Sequence, residues 1–399
     1  MNNYRVILKK YPVAINFLMF NLFFKFSMYI SKTVHALWFD MNDSLSNYGL
    51  SYSAMAFAGI FSFYIGKKTG HFKPQKVIQC GLILYSIGLF LRIFPNNSVV
   101  AIISGFISGI GASVVMLLIR VWIVGIGNDE ERSAIVSLKE FADGVGSSVG
   151  MLFAGFLVWI LSLFFQNATP ITLFFAGVLC LITVFFVPNI KSPAEETGEL
   201  QKTKSENIKY NKILFVGTII FGFIMGASVS LFSPYLPVIL SKQGLDVSVI
   251  GIVLTILGLL STYFASLFSG KKTSKYKEYI FIFCEILVGL STVLLIINMQ
   301  FLYLLIILIC RAFFLNGSVI SQELMELDMY PKDQVSYFYG ISQTSYFIGD
   351  SLGGLAGGNL YASDLKHTLI FFFIISTINA ISLFGFYKYM KSRSLVENN

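Results

Sequence analysis

Twelve apolar runs, each close to twenty residues or longer and set apart by short polar loops, limit this chain more than any other feature. A helix rises 1.5 Å per residue, so about 20 apolar residues cross the roughly 30 Å hydrocarbon layer of a membrane. Hydropathy places the runs at 12–31, 48–66, 77–94, 98–126, 134–162, 170–188, 212–240, 246–269, 279–298, 301–323, 335–361 and 367–389. Little of the 399 residues is left over, and a large soluble catalytic domain has no room. Only 13% of the side chains are charged, where soluble domains carry about 25%. The expectation is an all-α membrane protein whose first run is a membrane helix rather than a cleaved leader.

The net charge of +8 suggests nucleic acid only if the basic residues share a solvated face, and here they sit between apolar runs. Of the 29 Lys and Arg, only Lys32, Lys242 and Lys366 fall in one set of loops and Lys25, Arg92, Arg120, Lys139 and Arg311 within runs. The others cluster on the opposite side, so the positive-inside rule makes both termini cytoplasmic in a multi-pass protein of the cell membrane. The sequence points to lipid around the chain, a small-molecule substrate, no nucleic acid and a monomer.

The longest polar stretch, 189–211, separates six runs from six and reads as a cytoplasmic linker between an amino-terminal bundle over 1–188 and a carboxy-terminal bundle over 212–399. Repetition supports the division. Gly66-Lys67-Lys68-Thr69 returns as Gly270-Lys271-Lys272-Thr273, and Cys80 as Cys284, at an offset of 204. Gly146, Ser148, Gly150, Gly155 and Leu157 return as Gly349, Ser351, Gly353, Gly358 and Leu360 at 203. Parallel repeats of this kind place a substrate site near the membrane midplane between the halves.

Neither Gly-Lys-Lys-Thr segment is a nucleotide loop, because Phe61 and Ala265 stand where the first glycine is needed and Lys68 and Lys272 where the hydroxyl is needed. His35, His71 and His367 fall in or beside separate loops, so no metal cluster and no nucleophile–base relay is visible. The chain reads as neither an enzyme nor an ATP-driven pump. No cofactor is expected, and a proton or ion gradient supplies the energy.

Six plus six helices, basic loops after the second and eighth runs and glycine ladders in the fifth and eleventh resemble the major facilitator superfamily of secondary transporters over essentially the whole chain. The resemblance implies two pseudo-twofold-related six-helix bundles. The family's loop signature survives only as Lys67-Lys68-Thr69-Gly70-His71, with Lys67, and Lys271 in the second copy, standing where the family has Asp. The gate latched there in the family must use other contacts. Gly146, Gly150 and Gly155 partly match the family's antiporter pattern, and Gly349, Gly353, Gly357 and Gly358 match it more closely. Gly109-Ile110-Gly111-Ala112 matches the glycine part of another family motif, but Gly105 takes the place of its arginine.

An ionisable side chain at membrane depth costs several kcal/mol unless it is paired or faces water, so each is a candidate site. Asp350 and Asp143 are the expected proton carriers. They are expected to pair with Arg311 and Lys25 respectively and to exchange protons as partners and water access change. In the family arrangement the first, fourth, seventh and tenth spans line the cavity, which adds Asn21, Tyr29, Tyr235 and Asn316 to Lys25 and Arg311 as substrate-binding residues. The eleventh adds Gln343 and Tyr346. Arg120 and Glu140, with Lys67 and Lys271, are the expected gate. Glu285 and Arg92, on supporting helices, read as snorkelling or structural. The resulting expectation is alternating-access transport of a small polar or zwitterionic organic solute, with export by proton antiport. Import by symport, and a non-transporting sensor or assembly factor on the same fold, are the alternatives.

Overall fold

A computed structural model describes residues 10–61, 73–126, 129–189, 212–268, 270–331 and 334–397. Among them the chain is helical and helices fall at all twelve expected runs. We label these helices α1 (Pro12–Asp40), α2 (Leu45–Ile60), α3 (Pro74–Leu91), α4 (Ser98–Ile126), α5 (Asp129–Ser162), α6 (Ala168–Thr183), α7 (Lys212–Phe232), α8 (Leu236–Lys242), α9 (Val247–Leu267), α10 (Lys271–Leu294), α11 (Phe301–Met329), α12 (Val335–Ser363) and α13 (Leu365–Glu397). Among the described residues nine helical stretches, one of them α7 together with α8, are long and apolar enough to cross a membrane. All but Asn189 of the expected linker lies outside the described residues.

Local chemistry sets the helix ends. Pro12 and Pro74 open α1 and α3 in the first turn, where a missing N–H has no intrahelical partner to lose. Between α1 and α2 the backbone reverses through Asp43, at φ 52°, and Gly244 follows α8 at φ 83°, a left-handed conformation that suits glycine. Pro234 and Pro237 interrupt the seventh run as the missing N–H groups require: α7 ends at Phe232, a 3₁₀ turn takes Ser233–Tyr235, and α8 resumes at Leu236.

Two compact units result, Met1–Glu206 with Leu245–Thr255, and Asn207–Gly244 with Ile256–Asn399. Each repeats the same packing scheme: α1 against α5, α3 against α4 and α6 against α3 in the first, α7 against α12, α10 against α11 and α13 against α10 in the second. Glycine makes the tightest of these crossings. A Cβ at Gly146 would lie 2.5 Å from the carbonyl oxygen of Leu22, and one at Gly353 2.6 Å from that of Ala227, so α5 and α12 lie backbone to backbone on α1 and α7. Outward faces are apolar and open, Phe185 at 86% and Phe164 at 73% exposure, as acyl chains rather than water demand. The core is aromatic, with Trp122 edge-on to Phe17 and Phe20 in the first unit.

Candidate functional site

In the first unit the close crossing of α1 and α5 brings Lys25 and Asp143 together. Asp143 is buried, and its Oδ2 takes both the Lys25 ammonium at 3.4 Å and that of Lys139, one turn earlier on α5, at 2.8 Å. Its Oδ1 is buried with no hydrogen-bond partner. One carboxylate oxygen therefore holds two cations while the other keeps its acceptor capacity unused. Lys139 also reaches Glu140 at 2.8 Å, and Glu140 is exposed. The side chains of Arg120 and Lys271, and all of Lys67, lie outside the described residues, so the described part of the expected gate is Glu140 with its neighbour Lys139.

In the second unit the expected partnership of Arg311 with Asp350 does not form. Arg311 is buried, its Nε donates to the Thr292 hydroxyl of α10 at 2.9 Å, and its guanidinium carbon sits 3.5 Å from the centre of the Phe232 ring. Stacking on an aromatic face and a neutral acceptor take the place of the carboxylate, because α11 turns Arg311 toward α10 and the end of α7. Asp350 is buried on α12, one turn beyond the half-buried Tyr346 and beside the crossing with α7.

The carboxylate that shares a cavity with Arg311 is Glu285 of α10. It is buried, which overturns the snorkelling reading. Its Oε2 accepts from Ser318 at 2.5 Å, and its Oε1 from Ser376 at 3.2 Å and from Asn379 at 3.3 Å. The signal in the sequence was the set of polar residues that α11 and α13 direct at it, Ser318, Ser376 and Asn379, in runs otherwise apolar. The cavity holds about 130 Å³, and Phe232, Phe372, Gln322 and Asn379 complete its distinctive lining. Arg92 also does not snorkel. It is 2% exposed in the first unit and donates from Nη1 to Ser31 at 2.8 Å. His35, expected beside a loop, is buried within α1.

The uncharged candidates divide. Tyr235 is fully buried, stacks on Tyr361 at 4.6 Å and donates its hydroxyl to the Gly354 carbonyl at 2.7 Å, so it locks α12 onto the turn after α7. Asn316 joins α11 to α9 through the Ser261 hydroxyl at 2.8 Å. Asn21 donates to the Phe17 carbonyl at 2.8 Å while its Oδ1 is buried without a partner. Tyr29 is half-buried with the Lys32 ammonium 5.1 Å from its ring centre, and Gln343 is half-buried on α12. Among the described residues no three His, Cys, Asp or Glu side chains gather to hold a metal ion.

The arrangement is one of buried charges in membrane helices. A proton-coupled antiporter flippase, LtaA, of Staphylococcus haemolyticus (strain JCSC1435) is 27% identical over 349 residues, covering 82% of this chain and 81% of that protein. Multidrug resistance protein 2 of Bacillus subtilis (strain 168) is 22% identical over 342 residues, covering 82% and 83%. Among solved structures the nucleoside transporter NupG superposes with a TM-score of 0.75 at 16% identity, covering 94% of this chain and 99% of that one. A bacterial homologue of the iron transporter ferroportin, in its inward-facing state, gives 0.71 at 14% identity, covering 96% and 99%. The Major Facilitator Superfamily profile matches residues 13–222 and again 218–398. The chain is therefore a multi-pass membrane transporter, not an enzyme, and belongs to the Major Facilitator Superfamily.

Proposed function

We propose that the chain moves a small polar or zwitterionic organic solute by alternating access and exports it in exchange for protons. The observation that carries this reading is Asp143, whose Oδ2 is held by Lys25 and Lys139 while its Oδ1 stays open. A proton added to that carboxylate removes the charge that anchors Lys25, so α1 and α5 lose an ionic tie at the crossing built by Gly146. Proton occupancy then biases one packing over another, which is what coupling to a two-state carrier requires. Asp350, buried beside the equivalent crossing of α7 and α12, plays the same part in the second unit. The names of two relatives, a proton-coupled antiporter and a multidrug resistance protein, support exchange and export. The transporter acts as a monomer in the cell membrane with both termini cytoplasmic and uses no cofactor beyond the gradient.

The test is uptake and counterflow in proteoliposomes under imposed pH gradients, using a panel of radiolabelled amino acids, short peptides and nucleosides, with Asp143→Asn and Asp350→Asn alongside. Antiport predicts accumulation against the direction of proton flow, and loss of gradient-driven accumulation in both variants with counterflow retained. Accumulation along the proton flow establishes symport instead. Full gradient-driven transport by both variants refutes the proton sites.

A further inference from the structure

The cavity between α7, α10, α11 and α13 contains more hydrogen-bond donors than acceptors, and the imbalance names a ligand. A guanidinium carries five N–H donors lying in its plane. In Arg311 the Nε donates to Thr292, and among the described residues the two terminal nitrogens make no hydrogen bond. Stacking on Phe232 covers the face of the group and leaves its edge, where those donors lie. Glu285 is in the opposite condition: neutral donors from Ser318, Ser376 and Asn379 already satisfy it, and no cation stands within 4.0 Å. Charge acting on it comes from Arg311 of α11; Cys284 is its neighbour on α10, α13 brings the neutral Ser376 and Asn379, and α7 lines the cavity with uncharged side chains. Tyr361 of α12 acts on Arg311.

Resting on the transporter reading above, we propose that this cavity binds the carboxylate of a small solute with an apolar body on Arg311, and that Glu285 takes up one proton as it binds. With Glu285 ionised opposite Arg311, the empty cavity holds one positive and one negative charge. An anion on Arg311 adds a second negative charge in a water-poor space, where like charges repel strongly. A proton on Glu285 restores neutrality, so the cavity is uncharged both empty and loaded. The surroundings accept that proton. Asn379 Oδ1 is buried without a partner, on the same amide whose Nδ2 faces Glu285, and turning the amide over presents this acceptor to a Glu285 hydroxyl. Ser318 accepts as readily as it donates. Phe232 and Phe372 form an aromatic wall for the apolar part, and 130 Å³ holds a small group rather than a drug-sized molecule. The proton on Glu285 travels with the solute and balances its charge, leaving the driving protons to Asp143 and Asp350.

The experiment is calorimetric titration of the purified full-length protein in detergent with sodium benzoate at pH 7, in two buffers of different ionisation enthalpy, which reads the protons taken up per benzoate bound. The expected value is close to one for the unaltered protein and close to zero for Glu285→Gln, which still binds benzoate. Arg311→Gln binds about tenfold or more weakly. Adding phosphatidylglycerol to the micelles separates a free solute from an acidic lipid: unchanged benzoate affinity supports the solute, and competition overturns it in favour of a lipid headgroup. Binding without proton uptake, proton uptake retained in Glu285→Gln, or no benzoate binding at all overturns the proposal. No gradient is involved, so this result and the flux result fail or succeed separately.

Discussion

Replacing Gly146 by alanine tests whether glycine sets the crossing on which the Lys25–Asp143 pair depends. The added Cβ would meet the Leu22 carbonyl oxygen at 2.5 Å, and an ordinary contact begins at 3.4 Å, so α1 and α5 must part by about 0.9 Å. The neighbour is backbone, which has no rotamer to change, and overpacking of this kind costs about 1–3 kcal/mol. Alanine also favours the helix over glycine by about 1 kcal/mol, a gain that masks part of the cost. Gly144 supplies the control: it lies on the same helix two residues away, and a Cβ there meets nothing within 4 Å. Gly144→Ala carries the propensity gain alone, so the difference between the two variants isolates the crossing. Thermal unfolding of the detergent-solubilised protein should put Gly144→Ala at or above the unaltered protein and Gly146→Ala below it. The same separation stretches the 3.4 Å contact of Lys25 with Asp143, so Gly146→Ala should also reduce gradient-driven transport. Equal melting temperatures for the two alanine variants refute the reasoning.

Two further outcomes follow from the same geometry. Tyr235→Phe removes a buried hydroxyl bonded to the Gly354 carbonyl at 2.7 Å and should cost about 1 kcal/mol, read as a lower melting temperature, with solute affinity unchanged because the hydroxyl serves packing. Asp364, in the loop before α13, accepts from the His367 ring at 2.8 Å and from the Lys366 backbone N–H at 2.6 Å, and these bonds hold its carboxyl below the usual carboxylate range. A depressed folded-state value stabilises the fold above the unfolded value, near 3.9, and the contribution disappears as pH falls through the folded one. Asp364→Asn should therefore melt below the unaltered protein at pH 6, and the gap should close in acid; a gap that widens in acid contradicts the assignment.

Hydropathy alone located the helices, because lipid leaves the backbone no other way to satisfy its hydrogen bonds across twenty residues. The duplicated glycines were legible for a related reason: Gly146 and Gly349 sit where a Cβ would strike the facing helix, so a small residue recurs at the same place in each unit. Lys25 and Asp143 were legible as a pair because opposite charges on two helices in contact at midplane have few other partners. The expected Arg311–Asp350 pair is not found because sequence gives a residue's depth and not the direction in which its helix turns it. Depth put Arg311 level with Asp350, and rotation put it on Phe232 and Thr292. For Glu285 the snorkelling alternative falls for the converse reason. A supporting helix leaves its carboxylate open to either a snorkelling or a structural reading, and three neutral donors from α11 and α13 enclose this one, with no charged neighbour in the sequence to announce them.

Proton exchange is tested most directly by trapping a pH-sensitive dye inside proteoliposomes and adding, outside and without any imposed gradient, a solute that the flux panel has shown to be carried. Entry of solute by antiport must expel protons, so the lumen should turn alkaline in the unaltered protein and stay unchanged in the variant lacking both Asp143 and Asp350 carboxylates. A lumen that turns acidic, or solute entry with no change of internal pH, contradicts proton exchange as the coupling reaction.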